Sequence, residues 1–138
     1  MSLYSKVGEV AYELLLADPN GAEKISIPCE PGNGTVERGT VMYRKSTGMW
    51  APAASANVVA TNELVVLDET VDTTGLATTG GTIAEDAAAF RAGRFVRGAV
   101  KLAAGAAVTA AHEVILRGQN IVFDVDVNAA VFDNVKAN

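Results

Sequence analysis

The sequence predicts a mainly β chain of the β-rich α+β kind: a small β-barrel or β-sandwich-like domain with one short helix near the C-terminal end and an extended N-terminal arm. Short apolar runs rich in Val recur along it, separated by turn signals such as Asp18-Pro-Asn-Gly21, Pro31-Gly-Asn-Gly34 and Ser46-Thr-Gly48. Only Val108–Gly118 combines helical spacing with both a start and a stop signal. The apolar fraction is 49%, but much of it is Ala, and one Trp, three Tyr and four Phe are all the aromatics there are to fill space. Such a core is thin and strand-lined.

Taken in order, residues 1–11 carry Leu3, Tyr4, Val7 and Val10 among small and charged residues with no clean period, which reads as an arm ordered by a partner. The remainder, 12–138, reads as one domain. Tyr12–Ala17 and Lys24–Pro28 flank the Asp-Pro-Asn-Gly turn and are expected to pair as a hairpin. From Gly39 the spacing predicts a strand with Val41 and Tyr43 on one face and Met42 and Arg44 on the other, then a turn toward Met49-Trp50. Ala51–Ala60, with Pro52, reads as a loop or edge, and Asn62–Val71 as a buried strand. The uncharged Gly- and Thr-rich run 73–82 predicts an exposed loop.

Phe95–Leu102 alternates as a strand, with Val96, Gly98, Val100 and Leu102 on one face and Arg97, Ala99 and Lys101 on the other, one side buried and the other wet. The helix follows: Thr109 caps it, Ala111, Val114 and Ile115 form its apolar stripe, and Gly118 stops it after about ten residues. Ile121–Val127 alternates apolar and acidic as a half-buried strand. Val-Phe-Asp occurs at 122–124 and again at 131–133, too short a match to define a repeat.

At 138 residues a single domain buries roughly two thirds of its unfolded surface and folds without disulfides or metal. A formal charge of −5 opposes phosphate neutralisation, so nucleic acid is not an expected partner. The single cysteine, Cys29, permits no intramolecular disulfide and reads as a small buried hydrophobe. No run reaches the roughly 20 apolar residues of a membrane span, and Met1–Lys6 lacks the charged and apolar regions of a secretion signal, so a soluble, cytoplasmically made chain is expected.

Reactive chemistry is sparse. His112-Glu113 starts like a zinc helix, but Leu116 stands where the second His belongs, and the imidazole reads as a helix-surface group. No Gly-x-Ser-x-Gly elbow marks a hydrolase. Gly32-Asn-Gly34 and Gly80-Gly81 lack the context of a phosphate loop and read as turns. Asp124 and Asp126 read as a solvated acidic face. Arg91, Arg94, Arg97 and Lys101 crowd four of the eleven Lys and Arg residues into one stretch, which reads either as a wet strand face or as a contact for an acidic partner. Trp50 reads as a core plug or an interface anchor.

The succession of Gly39-Thr-Val-Met42, a Thr-Gly turn, Leu64-Val-Val-Leu67, Phe95-Val-Arg-Gly-Ala-Val100, a short helix and Ile121-Val-Phe123 resembles the head decoration proteins of tailed bacteriophages across residues 36–125. The resemblance implies a non-enzymatic homotrimer on the exterior of a virion, made in the host cytoplasm and seated at local three-fold positions of the major capsid protein lattice. It implies no cofactor, metal, membrane, nucleic acid or small-molecule substrate. The arm with Leu3, Tyr4, Val7 and Val10 would bind the capsid, and Trp50, Arg91, Arg94, Arg97 and Lys101 are the interface candidates. The Asp18–Gly21 region and the tail beyond Asp126 depart from the shortest members. The alternatives are another β-rich virion component, such as a head fibre base or tail subunit, and, further off, a carbohydrate-binding module or small β-barrel enzyme.

Overall fold

The longest element, strand β1 (Leu16–Cys29), runs antiparallel to β7 (Glu85–Val96), and this ladder organises the rest of the computed structural model, which describes residues 15–74 and 85–124. The arm residues Leu3, Tyr4, Val7 and Val10, Gly80-Gly81 and the rest of 75–84, and the tail with Asp126 lie outside the described residues. Between β1 and β7 come β2 (Thr35–Val36), β3 (Val41–Arg44), β4 (Trp50–Pro52), β5 (Leu64–Leu67) and β6 (Val71–Asp72). Helix α1 (Ala110–Arg117) and strand β8 (Ile121–Asp124) follow.

The predicted strand-rich class, with one α-helix near the C-terminal end, is what the described residues form. The main sheet is ordered β1-β4-β3-β5-β7-β8, and β1 also pairs with β7, so the path β1-β4-β3-β5-β7 returns on itself as a five-stranded barrel. Closure between β1 and β4 rests on one parallel bridge, Cys29 to Trp50, with the Glu30 N–H donating to the Trp50 carbonyl at 2.8 Å. The remaining strand, β8, runs parallel to the C-terminal part of β7 after the α1 crossover, while β2 and β6 form a separate two-stranded ribbon.

Side-chain alternation divides the interior into two clusters, as the two faces of a pleated strand require. Ile27, Cys29, Met42, Trp50, Val65, Leu67, Ala87 and Ala89 form one. Val41, Leu64, Val66, Phe90 and Phe95 form the other, joined by Val100, Leu102, Leu116 and Ile121. The expected division of Val41 and Tyr43 from Met42 is therefore present. All four residues of β5 are buried, because both of its faces are covered.

Four expectations are corrected. Asp18-Pro-Asn-Gly21 does not reverse the chain: the Asn20 N–H bonds to Asp18 Oδ1 at 2.9 Å and Gly21 takes φ +81°, so the segment bulges out of β1. Leu16 faces Phe95 and Lys24 faces Phe90, with register shifts between them, so both arms of the expected hairpin lie on one strand. The strand expected at Phe95–Leu102 is present only as the end of a longer one that begins at Glu85 and stops at Val96, with Arg97–Ala99 in a turn. The buried stretch 62–71 is broken, since Asp68–Thr70 separates β5 from β6. The helix stripe is also displaced: His112 and Leu116 are buried, whereas Ala111 is exposed and Val114 is 61% exposed.

Gly39 marks where the chain crosses closest. Its N–H donates to the Leu67 carbonyl at 2.8 Å and its own carbonyl accepts from the Lys101 N–H at 3.0 Å. Its φ is +94°, and a Cβ there would lie 2.7 Å from the Ala99 carbonyl oxygen. Gly39→Ala therefore combines left-handed strain with a backbone clash, and we expect it to cost about 3 kcal/mol. Urea unfolding measures this as a lowered midpoint at unchanged m-value, and a loss below about 0.5 kcal/mol would refute the close crossing.

Candidate functional site

The basic stretch singled out in the sequence is distributed by the strand geometry rather than massed. Arg91 pairs with Glu23 across the β1–β7 ladder at 3.2 Å, and Arg94 reaches Asp124 on β8 at 3.7 Å. Arg97, in the turn after β7, makes two parallel bonds to Glu113 on α1, at 2.9 and 3.0 Å. Those bonds hold the guanidinium above its ordinary pKa, with the Coulombic attraction of Glu113 adding to them. The three arginines thus tie β7 and its turn to β1, β8 and α1, whereas Lys101 is exposed and has no ion-pair partner among the described residues.

Trp50 stands apart from this stretch. It is buried inside the barrel beside Cys29 and Met42, which makes it a core residue of this chain. Cys29 is fully buried in the same cluster, as expected. Burial pushes its thiol up to about 11, with the charges of Glu69, Asp86 and Glu85 acting in the same direction. A thiol so held is protonated at neutral pH and a poor nucleophile.

His112 corrects the expected surface placement: it is 8% exposed and takes part in the N-terminal cap of α1. Its Nε2 lies 2.8 Å from Ser55 Oγ, in the 3-10 turn Ser55–Asn57, a partner 57 positions away that no sequence signal reveals. A Ser–His contact of this length matches that of a nucleophile and its base. The other ring nitrogen decides the matter, because Nδ1 accepts the Thr109 backbone N–H at 3.0 Å. In the neutral ring the proton is then on Nε2, which donates to Ser55 Oγ and has no lone pair to take the hydroxyl proton. No carboxylate orients the ring from Nδ1, as a triad would require. The pair is a clamp between the loop after β4 and the helix start, complemented at the helix end by Gln119, which accepts from the Leu64 N–H at 2.9 Å and donates to the Asn62 carbonyl at 2.7 Å.

Asp68 is the second polar group that the sequence does not reveal. Its carboxylate is 4% exposed and lies 2.7 Å from Lys24 Nζ and 3.0 Å from Arg38 Nη2, with Arg38 Nε also donating to it at 3.1 Å. Two cations more than offset the charge of this one buried carboxylate, and through it they join β1 to the loop between β2 and β3. Among the described residues no cluster of three or more His, Cys, Asp or Glu side chains could hold a metal ion, and no buried side-chain polar atom lacks a hydrogen bond. No helix of the described residues is long and apolar enough to cross a membrane.

Several shallow concavities adjoin the interface candidates, one beside Arg94 and another between Arg97 and Lys101. A cleft of about 580 Å³ opens between β2 and the Lys101–Gly105 turn, with Arg38 and Lys101 on its walls. The fold and these sites define a small β-barrel protein whose buried side-chain polar atoms, among the described residues, are all hydrogen-bonded. No family model matches the chain, and no curated protein is a significant match to it.

The clamp reading of Ser55 and His112 is tested by a double-mutant cycle. Ser55→Ala and His112→Ala are each expected to cost about 1–2 kcal/mol, with the double variant well short of their sum because both remove the same bond. Fully additive losses would show that the contact does not couple the loop to the helix.

Proposed function

We propose that this chain is a non-enzymatic structural virion protein that decorates and stabilises the outside of a phage capsid, binding as a homotrimer at local three-fold positions of the major capsid protein lattice. The observation that carries the reading is the order of its segments, from the Gly39 strand through Leu64–Leu67 and Phe95–Val100 to a short helix and Ile121–Phe123, set in a strand-rich body. The satisfied internal chemistry agrees with it, because a cementing subunit acts through its surface and needs no reactive centre.

Sheet edges supply that surface. Beyond the Trp50 bridge at Cys29, no described strand pairs with the side of β1 away from β7, and among the described residues β8 has a strand on one side only. Open edges invite pairing with another chain, and many weak copies on a lattice bind together far more strongly than one. Sugar binding is the weaker alternative, since stacking on a glycan needs exposed rings and Trp50, Phe90 and Phe95 are buried.

Purified protein added to emptied capsids lacking it is expected to bind to saturation at a fixed copy number per capsomer, measured by co-sedimentation and densitometry. Deleting residues 1–11 is expected to abolish that binding while the circular dichroism of the fold and the number of subunits per particle in solution stay unchanged. Unsaturable or absent binding of the full chain would overturn the decoration role, and undiminished affinity of the deletion variant would overturn the role of the arm.

A further inference from the structure

The ribbon formed by β2 and β6 leaves one edge of β2 outside any described ladder. Thr73 donates its N–H to the Gly34 carbonyl at 2.8 Å, and the next pairs in register are Thr35 with Asp72 and Val36 with Val71. Hydrogen-bonded and non-hydrogen-bonded pairs alternate along an antiparallel ladder. The Thr35 N–H and C=O therefore point away from β6. Four consecutive residues, Thr35–Arg38, line the cleft, as happens when a strand borders a groove with its edge and not with one face.

The opposite wall is preformed and thin. Ala104 adopts φ 59°, ψ 24°, a left-handed conformation costly for a residue with a Cβ, in a turn where the Gly105 N–H bonds to the Leu102 carbonyl and the Leu102 N–H to the Ala106 carbonyl. Ala103, Ala104 and Gly105 carry almost no side chain there, so another main chain can come close. Of the three charged residues on the walls, Arg38 is bound to Asp68 and Glu37 accepts a bond from the Thr70 hydroxyl at 3.4 Å. Glu37 and Lys101 both lack an ion-pair partner among the described residues, but the Glu37 carboxylate is engaged by the Thr70 hydroxyl, so the Lys101 ammonium is the charge the cleft presents to an incoming carboxylate.

We propose that this cleft takes an extended segment of another protein, which pairs with the Thr35 edge of β2 and places one carboxylate on Lys101. Main-chain pairing supplies affinity and the single charge supplies selection, the division usual in strand addition. Nucleic acid fits poorly, because one lone ammonium neutralises one phosphate. The chemistry of the cleft is independent of any role on a virion.

The test is an amide-resolved NMR titration of the full chain with a capped pentapeptide, Val-Thr-Glu-Thr-Val, and with its Val-Thr-Gln-Thr-Val counterpart. The glutamate peptide is expected to give saturable shifts centred on the amides of Thr35, Lys101 and Gly105. Binding is expected to be about fivefold weaker for the glutamine peptide and for Lys101→Ala, the size of one exposed ion pair. The glutamine peptide probes the charge without altering the protein, so a misfolded variant does not decide the result. No shifts at millimolar peptide, shifts confined to another edge, or equal binding of the two peptides would each overturn the proposal.

Discussion

The antiparallel ladder between β1 and β7 is the constraint on which the molecule depends. From Lys24 to Cys29 it pairs residue for residue with Phe90 to Glu85, and its end at Cys29 also meets Trp50, so one strand joins both ends of the barrel. The small side chains of Ala87 and Ala89 lie opposite Ile27 and Ile25, and that contrast in size lets a ring of only five strands fill its centre. On the other face of the ladder, Lys24 lies over the Phe90 ring at 5.4 Å while also holding Asp68, so aromatic packing and the buried charge clamp meet at one residue.

What lies outside the barrel is arranged around β7. Its C-terminal part pairs with β1 on one side and β8 on the other, and Arg91, Arg94 and Arg97 stitch it and its turn to their neighbours. The helix is fastened at its start by the Ser55–His112 bond and beyond its end by Gln119, while Leu116 packs into the outer cluster. Residues whose types suggest chemistry are thereby held for structural ends. The Lys101 ammonium and the open edge of β2 face the same cleft, which suits a protein that acts by contact.

Local rules made part of this legible from residues alone. The helix ends follow from Thr109 and Gly118 because capping is decided within a few positions, and the facing of Val41, Met42 and Tyr43 follows from the two-residue period of a strand. Asp18-Pro-Asn-Gly21 carries a real turn signal, but whether a turn reverses the chain or bulges within a strand depends on a partner 70 residues away, which no local pattern contains. The first half of β7 is hidden for a related reason: Glu85-Asp-Ala-Ala-Ala has the composition of a helix, and only the narrow barrel makes Ala the side chain that fits. The burial of Cys29 was readable from type, Trp50 was left open between core and interface until its neighbours were placed, and the burial of His112 and Asp68 depends on distant Ser55, Lys24 and Arg38.

Cys29 sits at the seam where β1 meets both β7 and β4, so its thiol reports whether the ring is closed. Labelling with a thiol reagent at pH 8, followed by mass spectrometry, tests this most directly. A closed barrel predicts that native protein stays unlabelled over a period in which urea-unfolded protein reacts completely, since the thiol is both buried and held at about 11. Prompt stoichiometric labelling of the native chain would contradict closure at β1 and with it the architecture described.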